Sequence, residues 1–494
     1  MTRAPAVMVL GCTSGAGKSW LTTALCRWYA RQGLVVKPFK AQNMSNHARV
    51  VAMPDGAGGE ADAAGEIGSA QYFQALAARA VPEPRMNPVL LKPEADTRSQ
   101  VVLMGQVRAD LTTMPWRERS ALLWPTAREA LASLQADCDL LLIEGAGSPA
   151  EINLAANDFV NTFTAQASQA ACLLVSDIDR GGAFAHLYGT HALMDAQVQR
   201  QVRGFVLNRF RGDAALLAPG PAMLEARTGV PTLAVVPMLR GHGLPEEDAV
   251  PADADGPGPR VVVLATPHAS NLDEFEPLRA AGVALRFARD AAAITAADWL
   301  LLPGSKHTRA DLAWVRAQGL DGAIRAHAAA GKPLLAVCGA LQWLGQGIDD
   351  PLGLEGGVPG RADGLGLLQL HTQFQPVKQL QRTTHALGPL TGPWAPLAGL
   401  PVSGYEIHLG ETVATAALPA AVPAQPDLGW QHGPVLALYL HGLFENPAVV
   451  QALFGAPPAG AIADPLEAVF DRLADAVDAA FAPGALMGLL NQPR

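Results

Sequence analysis

The stretch Gly11-Cys12-Thr13-Ser14-Gly15-Ala16-Gly17-Lys18-Ser19 restricts this chain more than any other. It follows an apolar run, Ala6–Leu10, and opens a helical pattern that extends from Lys18 to Gln32. A glycine loop between a buried strand and a helix N-terminus aims successive backbone N–H groups at one point, which makes a cradle for phosphate oxygens. In such a loop the lysine reaches the terminal phosphates of a nucleotide and the following hydroxyl serves Mg²⁺. The arrangement belongs to parallel α/β sheets, whose chemistry sits at the C-terminal ends of the strands. Val35–Phe39, Asp139–Ile143, Ala171–Ser176, Gly204–Leu207 and Thr232–Val236 are further short apolar runs of this kind.

Several strand ends carry residues suited to a nucleotide. Gly11, Gly15, Gly17, Lys18 and Ser19 form the loop itself. Lys40 closes the second strand and is placed to help Lys18 stabilise a transferring phosphoryl group. Asn208 ends the run GFVLN, where related nucleotide-binding proteins read the adenine. For a metal ion the expected ligands are Ser19, Glu144 in LLIEGAG and Asp177 in VSDIDRGG, because hard cations take oxygen donors. The first glycine stands one residue earlier than in the commonest phosphate-loop pattern, and this spacing resembles the dethiobiotin-synthetase-like branch of P-loop proteins.

The segment His242–Arg260 is acidic and rich in Pro and Gly, as expected of a linker. Beyond it the alternation resumes with Val261–Ala265, Trp299–Leu302, Pro333–Val337 and Val435–Leu440. Cys338 stands on the sharp turn between an apolar strand and a helix, with small residues at Ala336, Gly339 and Ala340. A helix N-terminus favours the thiolate form of a thiol placed there, and a tight turn leaves N–H groups free for an oxyanion. His441 ends the later strand, so a cysteine nucleophile and a proton shuttle are both at hand. This order and spacing resemble the class I glutamine amidotransferase domain. Gly304, Gly339 and Gln342 are the expected glutamine-binding residues. Full triads carry Pro-Glu after the histidine, whereas here Gly442 and Leu443 follow, which predicts a Cys–His dyad. Glu445 is the nearest downstream acid, and a backbone carbonyl or a water is the simpler group to orient His441.

Composition closes other routes. At about 100–200 residues per domain, 494 residues hold two to four domains. A formal charge of −9 argues against a nucleic-acid-coating protein, so anions must be bound locally. Five cysteines without a CxxC pair give neither a disulfide framework nor a zinc site. No apolar run approaches the roughly 18 residues of a membrane span, and the N-terminus lacks a signal-peptide pattern, so the expected setting is the cytoplasm without a membrane partner.

Ten phrases then identify a family. PFKAQNMSN (38–46), GEIGSAQ (65–71), MNPVLLKP (86–93), EGAGSPAEINL (144–154), DIDRGGAFA (177–185), NRFRGD (208–213), GLPEED (243–248), PGSKHT (303–308), GYEIH (404–408) and YLHGLFEN (439–446) occur in order. Together they resemble the cobyric acid synthase family of cobalamin biosynthesis over essentially the whole chain. The resemblance implies a dethiobiotin-synthetase-like P-loop domain over 1–240, a linker over 241–260 and a class I amidotransferase domain over 261–450. Residues 451–494 are expected as a helical extension packed on the amidotransferase domain. It further implies ATP and Mg²⁺ as cofactors, and glutamine and a corrinoid, adenosylcobyrinic acid a,c-diamide, as substrates. The b, d, e and g carboxylates would be amidated through acyl phosphates. Gln71, Asn87 and Lys92 are expected on the corrin side, while amides at Asn43 and Asn46, where sister enzymes carry aspartate, argue against a metal ligand from that loop. Two rivals stay open: a cobyrinic acid a,c-diamide synthase, and a P-loop switch protein with an inactive amidotransferase domain.

Overall fold

The computed structural model describes residues 3–53, 64–95, 98–245, 250–455 and 465–491. Part of the GLPEED phrase and the linker, and parts of the 451–494 extension, lie outside the described residues. Two six-stranded sheets organise the molecule. The first runs Thr232–Pro237, Val202–Phe210, Ala171–Asp177, Ala6–Gly11, Leu140–Glu144 and Val36–Phe39, with every pairing parallel. Its strands are near-continuous apolar runs because helices cover both faces. The second runs Ala284–Ala288, Arg260–Leu264, Trp299–Leu302, Leu334–Val337, Val435–Leu438 and Gly429–His432, parallel except for the last edge.

Register delivers the chemistry. Val9 lies beside Glu144 and Gly11 beside Val175, so the strand ends bearing Glu144 and Asp177 flank the glycine loop. In the other sheet Val337 lies beside Leu438, which sets Cys338 and His441 on neighbouring strand ends.

Between the sheets lie smaller pieces absent from the sequence reading. A hairpin of Ala48–Ala52 and Ala64–Gly68 and a four-stranded sheet containing Val89–Ala95 and Arg98–Leu103 belong to the first half. A hairpin of Gln379–Ala386 and Pro401–His408 belongs to the second. They meet in one apolar cluster of Ala48, Val50, Leu90, Val102, Tyr405 and Ile407, so the two halves share a core at their seam.

The C-terminal extension follows expectation only at its start, where Ala452, Leu453 and Phe454 pack on the amidotransferase core. The helix Pro465–Ala480 buries Val469, Phe470, Leu473 and Val477 against Leu21, Leu25 and Val236 of the nucleotide half, not against the amidotransferase half. Arg27, fully buried on the helix Lys18–Arg31, pairs with Glu467 at 2.6 Å and lies over the Phe470 ring at 5.3 Å. The Tyr29 hydroxyl donates to the Leu486 carbonyl at 2.8 Å. An amphipathic pattern announces a buried face without naming its partner, which is why the sequence misplaced this helix. Phe470→Ala is expected to destabilise the nucleotide half by about 3–5 kcal/mol. Urea unfolding tests this, and a loss below about 1 kcal/mol would mean that the ring is not part of that core.

Candidate functional site

The glycine loop is pinned from several sides. Lys18 Nζ donates to the carbonyls of Thr13 at 3.0 Å and Gly147 at 3.1 Å, which curls its side chain over the loop. Gly17 has φ +94°, and an added Cβ would collide with the side chains of Asn208 and Trp20. Asn208 is buried. Its amide donates to the Ala16 carbonyl at 2.8 Å and its oxygen accepts from the Arg209 N–H at 2.8 Å. Asn208 thus braces the loop from behind.

Glu144 gathers three donors. Ser19 Oγ donates to its Oε1 at 2.9 Å, Lys40 Nζ lies 2.8 Å from the same oxygen, and Gln74 Nε2 donates to Oε2 at 2.5 Å. Burial pushes this carboxyl up, but the Lys40 charge and the three hydrogen bonds outweigh it and hold the group below its usual range. Lys40 is thus an ion-pair partner of Glu144 at the edge of the phosphate loop. The Ser19 and Glu144 oxygens suit a hard cation such as Mg²⁺. Asp177 is engaged elsewhere, by Arg209 at 3.0 Å, Arg180 at 3.4 Å and the Asp179 N–H at 2.9 Å. Among the described residues no group of three or more His, Cys, Asp and Glu stands ready for a metal.

The second site is built on backbone strain. Cys338 has φ 52° and ψ −111°, a conformation that costs a non-glycine residue of order 1–3 kcal/mol and persists only where the surroundings enforce it. The enforcement is local: the Cys338 N–H donates to the Leu438 carbonyl at 2.8 Å, and the helix Gly339–Leu344 starts at once. The glycine at 304 is required by space, since an added Cβ would approach His441 Cε1 to 3.0 Å and Ser270 Oγ to 2.9 Å. Gln342 uses its amide on the Leu409 carbonyl at 2.9 Å and the Tyr439 hydroxyl at 3.1 Å, so it fixes the pocket wall.

His441 has a carboxylate. Its Nδ1 lies 3.0 Å from Glu274 Oε1, and the other oxygen of Glu274 accepts from the Gly442 N–H at 2.9 Å. This corrects the dyad expectation: the orienting group is neither a water nor a backbone carbonyl, and Glu445 pairs with Arg49 instead. Glu274 precedes the histidine by 167 residues, in the short helix Leu272–Phe275 beyond the first strand of its domain, and no spacing rule points to it. Burial pulls the imidazole down, yet the Glu274 charge and the Cys338 side chain raise it to about 10. Nε2, on the far side of the ring, is left for the Cys338 side chain, and both residues line one cavity. The arrangement can activate a thiol and deliver a proton to a leaving amine.

That cavity is walled by both halves. Asn46, Lys92 and Gln100 come from the nucleotide half, and Lys306, Glu355 and Lys378 from the other. The side-chain oxygens of Asn46 and Gln100 are buried there without partners. Lys92, expected near a corrin, is 2.6 Å from Glu66, which also holds Lys378 at 2.7 Å. Asn87 is structural, bonding the Lys40 and Val89 carbonyls and the Gly68 N–H. Gln71 is fully buried.

A phosphate loop and a Cys–His–Glu site in one chain define a glutamine-dependent amidoligase: a nucleotide-binding domain joined to a glutamine amidotransferase domain. Comparison agrees. Residues 7–245 match the CobQ/CobB/MinD/ParA nucleotide binding domain, and residues 260–449 match the CobB/CobQ-like glutamine amidotransferase domain. The cobyric acid synthase of Methylibium petroleiphilum is 60% identical over 99% of this chain and 98% of its own. That of Leptothrix cholodnii is 59% identical over 99% and 98%, and that of Variovorax paradoxus 59% over 98% and 99%. The chain belongs to the cobyric acid synthase family.

Glu274→Gln is expected to slow glutamine hydrolysis about 10²-fold, less than the about 10⁴ of a serine triad, because a thiol needs less help. Without the carboxylate charge the His441 pKa falls from about 10. The protonated imidazole is then lost at lower pH, and the alkaline limb of the rate profile moves to the acid side. Glu445→Gln should stay within about tenfold. Glutamate release against pH checks all three statements, and an unmoved alkaline limb in Glu274→Gln would reject the triad.

Proposed function

We propose that the chain converts adenosylcobyrinic acid a,c-diamide to adenosylcobyric acid by amidating the b, d, e and g carboxylates. ATP and Mg²⁺ would activate each carboxylate and glutamine would supply ammonia. The carrying observation is the coexistence of the Ser19–Glu144–Lys18 phosphate site with the Cys338–His441–Glu274 site, in a chain that matches 98% of the length of a cobyric acid synthase.

The chemistry follows from the residues. A carboxylate is a poor electrophile, so phosphorylation must first create a leaving group, which Lys18 and the loop N–H groups stabilise electrostatically. Ser19 and Glu144 would hold the Mg²⁺, whose charge offsets that of the phosphates. In the second half the Cys338 thiolate attacks the side-chain carbonyl carbon of glutamine. The Gly339 N–H, next to the nucleophile, is available to the oxyanion. His441 gives its proton to the departing ammonia, then takes one from the water that hydrolyses the thioester and releases glutamate. Ammonia reaches the acyl phosphate as the free base, and the acyl–phosphate bond breaks as the amide forms. Both the intermediate and the ammonia need shelter from water, and a cavity walled by the two halves around Cys338 favours retention of the ammonia at its source.

Mass spectrometry of the corrinoid after incubation with ATP, Mg²⁺ and glutamine should show a ladder of products, each one amide heavier, up to four additions. A ladder ending at two would point to the a,c-diamide reaction instead. Cys338→Ala should lose glutamine-driven amidation and keep ammonia-driven amidation. Lys18→Ala should lose both, and normal turnover with ammonia in that variant would reject the phosphate-loop assignment.

A further inference from the structure

The strand Ala48–Ala52 belongs to the nucleotide half, yet its arginine is buried at the seam and makes its charged bonds to the other half. The Arg49 side chain is 3% exposed. Its Nε donates to Asp273 Oδ2 at 3.0 Å, Nη2 bonds the same oxygen, and Nη1 bonds Glu445 Oε1. The guanidinium carbon lies 5.5 Å from the Tyr72 ring centroid, 5.3 Å from that of Phe73 and 5.4 Å from that of Tyr405.

Every partner of Arg49 on the amidotransferase side is also a neighbour of His441. Asp273 precedes Glu274, the carboxylate on Nδ1, within the short helix Leu272–Phe275. Glu445 ends the short helix Leu443–Glu445, which begins two residues after the histidine. Tyr405 stacks on the imidazole with centroids 5.2 Å apart and planes 12° apart, and its backbone exchanges both hydrogen bonds with that of His441. Asn271 adds a further tie: its amide exchanges two hydrogen bonds with the Ala48 backbone and donates to the Tyr405 hydroxyl at 2.8 Å. The segments before, beside and after the histidine are thus held by one strand of the opposite half.

We propose that Arg49 is a positioning residue for glutamine hydrolysis: by joining Asp273 and Glu445 it fixes the Glu274–His441 pair, so that the amidotransferase site reaches full rate only when the nucleotide half is docked against it. The inference rests on the reading of Cys338 and His441 as the glutamine-hydrolysing pair. Its physical basis is the cost of an unpaired buried charge. Without the guanidinium, Asp273 keeps only His47, 4.0 Å away, as a cationic neighbour and Glu445 loses its partner. The two short helices that set the histidine's surroundings are then free to relax, and a displacement of about 1 Å at a catalytic group is enough for a loss of about 10²-fold.

The test uses the full chain with Arg49→Met and Arg49→Lys. Glutamate release and ammonia-driven corrinoid amidation are measured on each. Arg49→Met is expected to lower kcat for glutamine hydrolysis about 10- to 100-fold, with KM for glutamine and the ammonia-driven rate nearly unchanged. Arg49→Lys, which keeps the charge but not the fork, should recover part of the loss. An unchanged kcat in Arg49→Met overturns the proposal, as does an equal fall of both reactions, which would mark a general structural staple. If Arg49→Met does not fold, Arg49→Lys decides on the same two rates. Wild-type chain that releases no glutamate would sink the underlying reading. Wild-type chain that releases it while the Arg49 variants match it sinks only the positioning role.

Discussion

A set of buried ion pairs at the seam between the two halves is what the rest of the molecule depends on. Glu66 is fully buried between Lys92 of its own half and Lys378 of the other. The two lysine charges outweigh burial and lower its carboxyl to about 2. Lys306 reaches back to Glu94 at 3.3 Å, and Arg49 crosses to Asp273 and Glu445. Such pairs add little net stability, because desolvation consumes most of the Coulomb gain. Their effect is on geometry. Any other docking of the halves would leave charges buried and unpaired, at a cost of several kcal/mol each. The apolar cluster around Tyr405 and Val50 supplies attraction without direction, and the ion pairs supply the direction.

That division of labour suits a two-site chain. Parallel sheets present their reactive residues at one edge only, so two such domains can cooperate only if those edges face a common space. The hairpin Ala48–Ala52/Ala64–Gly68 occupies that space. Its first strand carries Arg49 into the surroundings of His441. Its second strand leaves the same end of the ladder, where Arg49 lies opposite Ile67, and runs into the helix Ser69–Ala77, whose Gln74 donates to Glu144 beside the phosphate loop. A single supersecondary unit therefore touches the carboxylate of one site and the histidine neighbours of the other.

Much of this was legible in the sequence, for physical reasons. A strand buried on both faces must be apolar throughout, so Leu140–Glu144 and Leu334–Val337 announce themselves. A phosphate loop and a nucleophile turn are local chemistry, carried by adjacent residues, and Lys18, Ser19 and Cys338 stand where the motifs put them. What escaped is long-range. Glu274 meets His441 across 167 residues, and Arg49 meets Asp273 across 224. Neither pair leaves a period or a spacing in the chain. The packing partners of Lys40 and Asn208 escaped for a related reason. Sequence places them at strand ends, but only packing shows that one lies against Glu144 and the other behind Gly17.

The placement of the triad carboxylate is itself informative. Where the acid follows the histidine on the same loop, the pair is set by one segment and is nearly independent of its surroundings. Here the acid comes from a different segment, beyond the first strand of the domain, and each of its two oxygens is committed, one to Nδ1 and one to the Gly442 N–H. The pair is correct only while two segments hold their relative position, and each carries a residue bound by Arg49, Asp273 in one and Glu445 in the other. A thiol nucleophile tolerates this looser design better than a hydroxyl would, since a thiol needs less activation. What the design adds is dependence: ammonia made while the halves are apart would be lost to solvent. Dividing the histidine's support between two segments, and tying both to the opposite half, links its formation to the state in which it can be used.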